Sequence, residues 1–121
     1  MILKRQGYYK EMPHGDSSDP SIMNSIKGNV PEKDNICNYL TNGQILAACG
    51  RVVYDVIEPE KGIIGAPDDM TDGVYLWPAD LSYYVEEYDL RLSDEFIKHM
   101  KENNWKVPEN MTIDFDDIEV I

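Results

Sequence analysis

Apolar residues repeat with the period of an α-helix after the Trp77-Pro78 pair. Positions i, i+3, i+4 and i+7 are filled by Leu81, Tyr84, Val85 and Tyr88. This spacing predicts a helix with one buried face. Because proline disfavours the helical conformation in the residue before it, we expect Trp77 to be extended and to cap a helix that begins at Pro78. Asp80 then lies in the first turn, where the helix dipole favours a carboxylate.

Three other segments carry the signals of helix ends. Asp19-Pro20 predicts the start of a short helix that ends at Gly28. Pro31 predicts the start of a second helix, with Gly43 as its C-terminal cap. Ser93, followed by two acidic residues, is a typical N-cap for a helix that ends near Asn103-Asn104. Helices are therefore expected both before and after the central part of the chain.

The central part has the pattern of β-strands. Residues 44–49 and 51–57 are rich in strand-forming residues, and Gly50-Arg51 between them predicts a tight turn or a bulge, with the two strands paired as a hairpin. Residues 74–77 are a third predicted strand, whereas the Pro and Gly content of residues 58–73 predicts a long connection. Strand-like segments also occur at both termini. We therefore predict an α+β fold, with a small antiparallel β-sheet of about three to five strands and helices packed on one side.

Length and composition agree with one folded unit. The chain has 121 residues, of which 42% are hydrophobic, enough for one core, and we expect a single α+β domain spanning residues 1–121. The net charge is −12, and residues 61–121 carry 15 of the 23 acidic but only 5 of the 11 basic residues. Such a surface repels nucleic-acid phosphates and anionic membranes and attracts basic partners. Acidity that serves only solubility is the simpler alternative.

The sequence also indicates a compartment. It has no signal-peptide pattern and no apolar run long enough to span a membrane, so we expect a cytoplasmic protein. Cys37 and Cys49 are too few for a disulfide framework and are expected to be buried, reduced thiols. Residues 68–79 suggest a calcium loop, but Met70 and Ala79 stand at two ligand positions. We expect neither a metal nor a cofactor.

The acidic half contains candidates for binding a basic protein. In the helix after Trp77, neighbouring Tyr83 and Tyr84 cannot both face the core, so we expect Tyr83 to be at least half-exposed beside carboxylates. Tyrosine is enriched at protein interfaces. The predicted partner-binding residues are Asp68, Asp69, Asp72, Tyr83, Glu86 and Glu87.

An alternative site lies near the N-terminus. His14, Asp16 and Ser17 share one loop, and these residue types can supply a base, its orienting carboxylate and a nucleophile. A small hydrolase or ligand-binding protein would use this loop, residues 12–20, together with residues 58–73. No common catalytic motif is present. The other histidine, His99, is expected on a helix surface beside Glu95.

The run "TDGVYLWPADLSYYV" has the form DG-x(3)-W-P-x-D-L-x-Y-Y-V. It resembles a motif of small, uncharacterised bacterial proteins, and the resemblance extends over about residues 44–105. Small acidic proteins of this kind loosely resemble the immunity proteins encoded beside bacterial toxins. The resemblance implies a non-enzymatic antidote that binds a basic toxin, and this is the first of the two hypotheses. The second is the small hydrolase or ligand-binding protein.

Overall fold

The computed structural model describes residues 1–121 and contains three α-helices and seven β-strands. The helices are α1 (Lys33–Thr41), α2 (Leu81–Tyr88) and α3 (Asp94–Glu102). The strands are β1 (Ile2–Arg5), β2 (Gln44–Ala47), β3 (Val53–Tyr54), β4 (Ile63–Gly65), β5 (Asp69–Thr71), β6 (Tyr75–Pro78) and β7 (Glu119–Val120). Short 3₁₀ turns occupy Ile22–Ser25 and Pro59–Lys61.

Five strands form the main sheet, in the order β2-β5-β6-β1-β7. The predicted α+β class and the number of strands are confirmed. The sheet is mixed: β2, β5 and β6 are antiparallel, whereas β1 runs parallel to both β6 and β7. Tight turns impose antiparallel pairing, but long connections separate β1 from β6 and from β7, and such connections permit parallel pairing.

The predicted hairpin at Gly50 is wrong. β2 pairs with β5, where Ile45 lies opposite Met70, and β3 pairs with β4 in a separate two-stranded sheet. Both partner strands lie within residues 58–73, which the sequence presents as a connection. These strands have only three residues each, too few for an alternating pattern to be recognised between Pro and Gly.

The main core lies between the helices and the sheet, with Trp77 near its centre. The Trp77 side chain is fully buried, and its Nε1 donates a hydrogen bond of 3.1 Å to the carbonyl oxygen of Leu40. Its ring packs against Tyr39 and Phe96, with centroids 6.0 and 5.5 Å away. A Cβ atom at Gly43 would lie 2.5 Å from the indole, so the close approach of α1 to Trp77 requires glycine there. The helix cap itself is Asn42.

Two predicted helix starts are displaced by tertiary contacts. Pro78 stays in β6 opposite Asp69, and the Ala79 amide bonds to the Asp68 carbonyl, so α2 begins at Leu81 with Asp80 as its N-cap. Asp19 does not cap a helix because Arg5 holds its carboxylate with bonds of 2.8 and 2.9 Å. Only the 3₁₀ turn forms there, capped by Ser21.

The helix predicted from Pro31 begins two residues later, at Lys33, and α3 forms as predicted. Ser93 caps α3 by accepting a hydrogen bond from the Phe96 amide. Asn104 has the expected left-handed conformation, with φ of 55°. The apolar face of α2 is buried as predicted, with Leu81, Tyr84 and Val85 fully enclosed. This burial determines which side chains α2 presents to solvent.

We expect Trp77→Ala to be a folding mutant. Truncating a fully buried tryptophan removes its packing and leaves a cavity, which typically costs about 3–5 kcal/mol. Urea unfolding should show a loss of this size, whereas Phe115→Ala, which truncates an aromatic ring that is 61% exposed, should change stability by less than about 0.5 kcal/mol. Equal stability of Trp77→Ala and the wild type would contradict the position of Trp77 in the core.

Candidate functional site

A surface groove of about 460 Å³ lies between the outward face of α2 and the residues that follow β4. We call it the acidic groove. The residues that give it its chemical character are Ile64, Asp68, Asp80, Tyr83, Glu86 and Glu87. No Lys or Arg lines it, and none of its four carboxylates forms an ion pair with Lys or Arg. The groove is therefore lined by acidic side chains, and the nearby Lys33 and Lys61 bind Asp89 and Glu58 instead.

The geometry of α2 explains why these side chains meet. Positions three and four apart lie on one helix face, so Tyr83, Glu86 and Glu87 form a single stripe. The opposite stripe is buried in the core, which fixes the rotation of the helix. Glu86 and Glu87 are exposed and Tyr83 is half-buried. Four of the six predicted partner-binding residues, Tyr83, these two glutamates and Asp68, are thus brought together in the groove.

Asp80 is a buried carboxylate in the wall of this groove. Its side chain is only 1% exposed, and its Oδ1 lies 3.1 Å from His14 Nε2. Its other oxygen, Oδ2, has no hydrogen-bond partner, and neither has Nδ1 of His14. A buried polar group without a partner is destabilising by about 1–3 kcal/mol, so this oxygen would gain from a donor. No local sequence pattern pairs Asp80 with His14, because 66 positions separate them.

Cys37 also lines the groove but is not suited to act as a nucleophile. Its Sγ lies 3.7 Å from Glu86 Oε2 and 3.8 Å from the Ser82 carbonyl oxygen. Burial, followed by the negative charge of Glu86, raises the pKa of the Cys37 thiol to about 11. The thiol is therefore protonated at neutral pH, and the thiolate is the reactive form. Like Cys49, it is half-buried rather than fully buried.

The two remaining predicted partner-binding residues, Asp69 and Asp72, form hydrogen bonds outside the groove. Asp69 accepts a hydrogen bond of 2.6 Å from the Tyr8 hydroxyl. Asp72 is only 3% exposed and accepts from the Tyr39 hydroxyl at 2.5 Å. His99 Nε2 lies 3.0 Å from the same Asp72 oxygen. Asp72 is therefore an internal anchor between α1, α3 and the β5–β6 turn.

The expected contact between His99 and Glu95 is wrong. His99 turns inward to Asp72, whereas Glu95 forms an ion pair of 2.9 Å with Lys4. The helical spacing permits the predicted contact, but Lys4 binds Glu95, and the buried carboxylate of Asp72 offers the imidazole a contact that is shielded from solvent.

A second buried aspartate, Asp55, holds the back of α2. It accepts hydrogen bonds from the hydroxyls of Tyr83 at 2.8 Å and Tyr88 at 2.5 Å, and from the amides of Ile57 and Glu58. Burial alone would raise the pKa of Asp55, but these hydrogen bonds, that of Tyr88 first, outweigh it and lower the pKa below its ordinary value. The Asp55 cluster thereby fixes Tyr83 at the edge of the groove.

The alternative catalytic residues are not joined in the structure. His14 contacts Asp80, Asp16 accepts hydrogen bonds from the amide and hydroxyl of Ser18, and Ser17 is exposed. No hydrogen bond links His14 to Asp16 or to Ser17. Loops 12–20 and 58–73 do meet, however, at a cavity of about 280 Å³ lined by His14 and Asp69 among others.

Other classes of site have no counterpart in the structure. No group of three or more His, Cys, Asp or Glu side chains is placed to hold a metal ion. None of the helices combines the length and apolar character that crossing a membrane requires. No family model, curated protein or solved structure matches this chain. The acidic groove is the place where most of the predicted partner-binding residues meet.

We expect Asp55→Asn to destabilise the fold in a pH-dependent manner. Losing the charged acceptor should lower the free energy of unfolding by about 1–3 kcal/mol at neutral pH. Because the pKa of Asp55 is lower in the folded state, its charge stabilises the fold above the unfolded pKa of about 4, and this contribution disappears as the pH falls through the folded pKa. Urea unfolding should show the gap between variant and wild type narrowing from pH 7 towards pH 3.

Asp116→Asn is the matched control, since Asp116 is exposed and its carboxylate forms no hydrogen bond or ion pair. It should match the wild type at every pH. A gap between Asp55→Asn and the wild type that stays constant across this pH range would contradict the role given to the Asp55 charge.

Proposed function

We propose that the protein is a non-enzymatic interaction protein that binds a basic partner protein through the acidic groove. The single observation that carries this proposal is the meeting of Asp68, Asp80, Glu86 and Glu87 in one cavity without a lysine or arginine. Like charges held together in a concave surface focus the electrostatic potential and attract a cation. The strongly negative second half of the chain extends this attraction beyond the groove.

The class of partner we favour is a basic bacterial toxin, with this chain acting as its immunity or antidote protein. The motif in residues 72–85 supports this proposal only by resemblance. Physically, an antidote must bind faster than the toxin reaches its target, and complementary charge raises association rates by orders of magnitude. An exposed acidic stripe on a rigid helix is well suited to this, because it needs no rearrangement before the encounter.

The second candidate function, a small hydrolase or ligand-binding protein, is supported by the cavity where residues 12–20 and 58–73 meet. Catalysis is the less favoured part of this alternative. Nε2 of His14 faces Asp80 and its Nδ1 is buried, so neither nitrogen is placed to take a proton from a substrate. Turnover of simple ester, phosphate or amide substrates that His14→Gln abolishes would favour it over the interaction protein.

We expect the double charge reversal Glu86→Lys with Glu87→Lys to slow association with a basic partner strongly. Both side chains are exposed, so folding should be nearly unchanged, and rim charges act mainly on the association rate. Stopped-flow or surface-plasmon measurements at two salt concentrations should show that the wild-type rate falls with salt, and that the variant has a lower and less salt-dependent rate.

The matched control is Glu109→Lys with Asp116→Lys. It changes the net charge equally, but neither residue lines the groove. If the association rate depends on the charges of the groove, it will fall much less in the control than in the groove variant. Equal losses would show that only net charge matters, and an acidic partner would contradict the proposal altogether.

A further inference from the structure

We infer that the acidic groove is a receptor for an arginine side chain of the basic partner, with Asp80 as its deepest acceptor and Tyr83 as its stacking surface. This inference rests on the proposed function and specifies the chemistry of the group that the groove binds. Such a groove would bind a guanidinium more tightly than an ammonium, a preference that charge attraction alone would not produce.

Asp80 is the buried acceptor in the groove. Its carboxylate is nearly inaccessible to solvent, lies in the groove wall and has one oxygen without any hydrogen-bond donor. The neighbouring imidazole of His14 serves the other oxygen only. A guanidinium carries five N–H donors in a planar fork, so once a small shift of the groove wall exposes Asp80 Oδ2, it can donate to this oxygen and to a second carboxylate at the same time.

Glu86 provides that second carboxylate. Its only side-chain hydrogen bond is the weak contact with the Cys37 thiol. The nearest lysine on α1, Lys33, binds the Asp89 carboxylate and the main-chain oxygen of Glu86 instead. The Glu86 carboxylate is therefore free to accept from an incoming cation, as is that of Glu87 at the outer edge.

Tyr83 favours arginine over lysine. Its hydroxyl is fixed by Asp55, and its ring packs edge-to-face against Tyr84 at 5.3 Å between centroids. The ring is thus held in place before any partner binds. A guanidinium is planar and weakly hydrated and stacks on aromatic faces, whereas an ammonium keeps its water more strongly.

The groove also has apolar walls that suit the aliphatic part of an arginine side chain. Ile64, Ala66 and Ala79 line it alongside the carboxylates. Such walls exclude water from the charged contacts, which strengthens them. Apolar walls, a fixed ring and a buried acceptor without a donor together fit one extended cationic side chain.

The test compares two probes of equal charge, hexaarginine and hexalysine, by NMR titration of the ¹⁵N-labelled chain. We expect hexaarginine to bind about fivefold more tightly than hexalysine, with shifts centred on residues 79–88. Asp80→Asn should remove this preference, because it replaces the unpartnered carboxylate oxygen with a neutral amide. Glu109→Gln, outside the groove, should leave the preference unchanged.

A second pair of variants isolates the ring and does not depend on the folding of Asp80→Asn. Tyr83→Phe and Tyr83→Leu both lose the bond to Asp55, but only phenylalanine keeps an aromatic face. The preference for arginine should survive in Tyr83→Phe and disappear in Tyr83→Leu. Thermal unfolding of each variant establishes that it is folded under the conditions of the titration.

The outcomes separate this inference from the function on which it rests. Equal binding of the two peptides in the groove would overturn the arginine receptor and leave a general basic partner standing. A preference that survives both Asp80→Asn and Tyr83→Leu would also overturn it. Shifts located outside the groove, or no binding of either peptide, would overturn the proposed function as well.

Discussion

The burial of one face of α2 is the interaction on which the rest of the structure depends. Leu81, Tyr84 and Val85 are fully buried in the main core, and α2 packs against α1. Because a helix has a fixed angular spacing, burying these three positions dictates that Tyr83, Glu86 and Glu87 face outward. The acidic stripe of α2 is therefore a direct consequence of core packing.

The acidic residues of this chain serve two different purposes. Asp55 and Asp72 are buried and satisfied: each accepts several hydrogen bonds from tyrosine hydroxyls and main-chain amides. They join elements that are distant in sequence and contribute nothing to an exposed face. Glu86 and Glu87 remain outside and unpaired. Asp80 is intermediate between these groups, since it is buried like the first but only one of its two carboxylate oxygens has a hydrogen-bond partner.

Whether a feature of the fold or of the groove can be predicted depends on how far apart its interacting residues lie in the sequence. The helical stripes and the Ser93 cap arise from residues within a few positions, and they were predicted. The pairings of β2 with β5 and of β1 with β6 connect distant segments, so no local pattern could select them over the Gly50 hairpin. Asp72 illustrates the same limit. Its acidic turn suggests an exposed side chain, but the carboxylate is buried against Tyr39 and His99, which are 33 and 27 positions away in the sequence.

The central claim is that the groove beside α2 is built to hold a cation delivered by a partner protein. The most direct measurement is a crystal structure of the chain bound to an arginine-containing basic peptide. The account predicts one guanidinium in the groove, within hydrogen-bonding distance of Asp80 Oδ2 and stacked on the Tyr83 ring. A peptide bound elsewhere on the surface, with Asp80 Oδ2 still lacking a donor from the peptide, would contradict it.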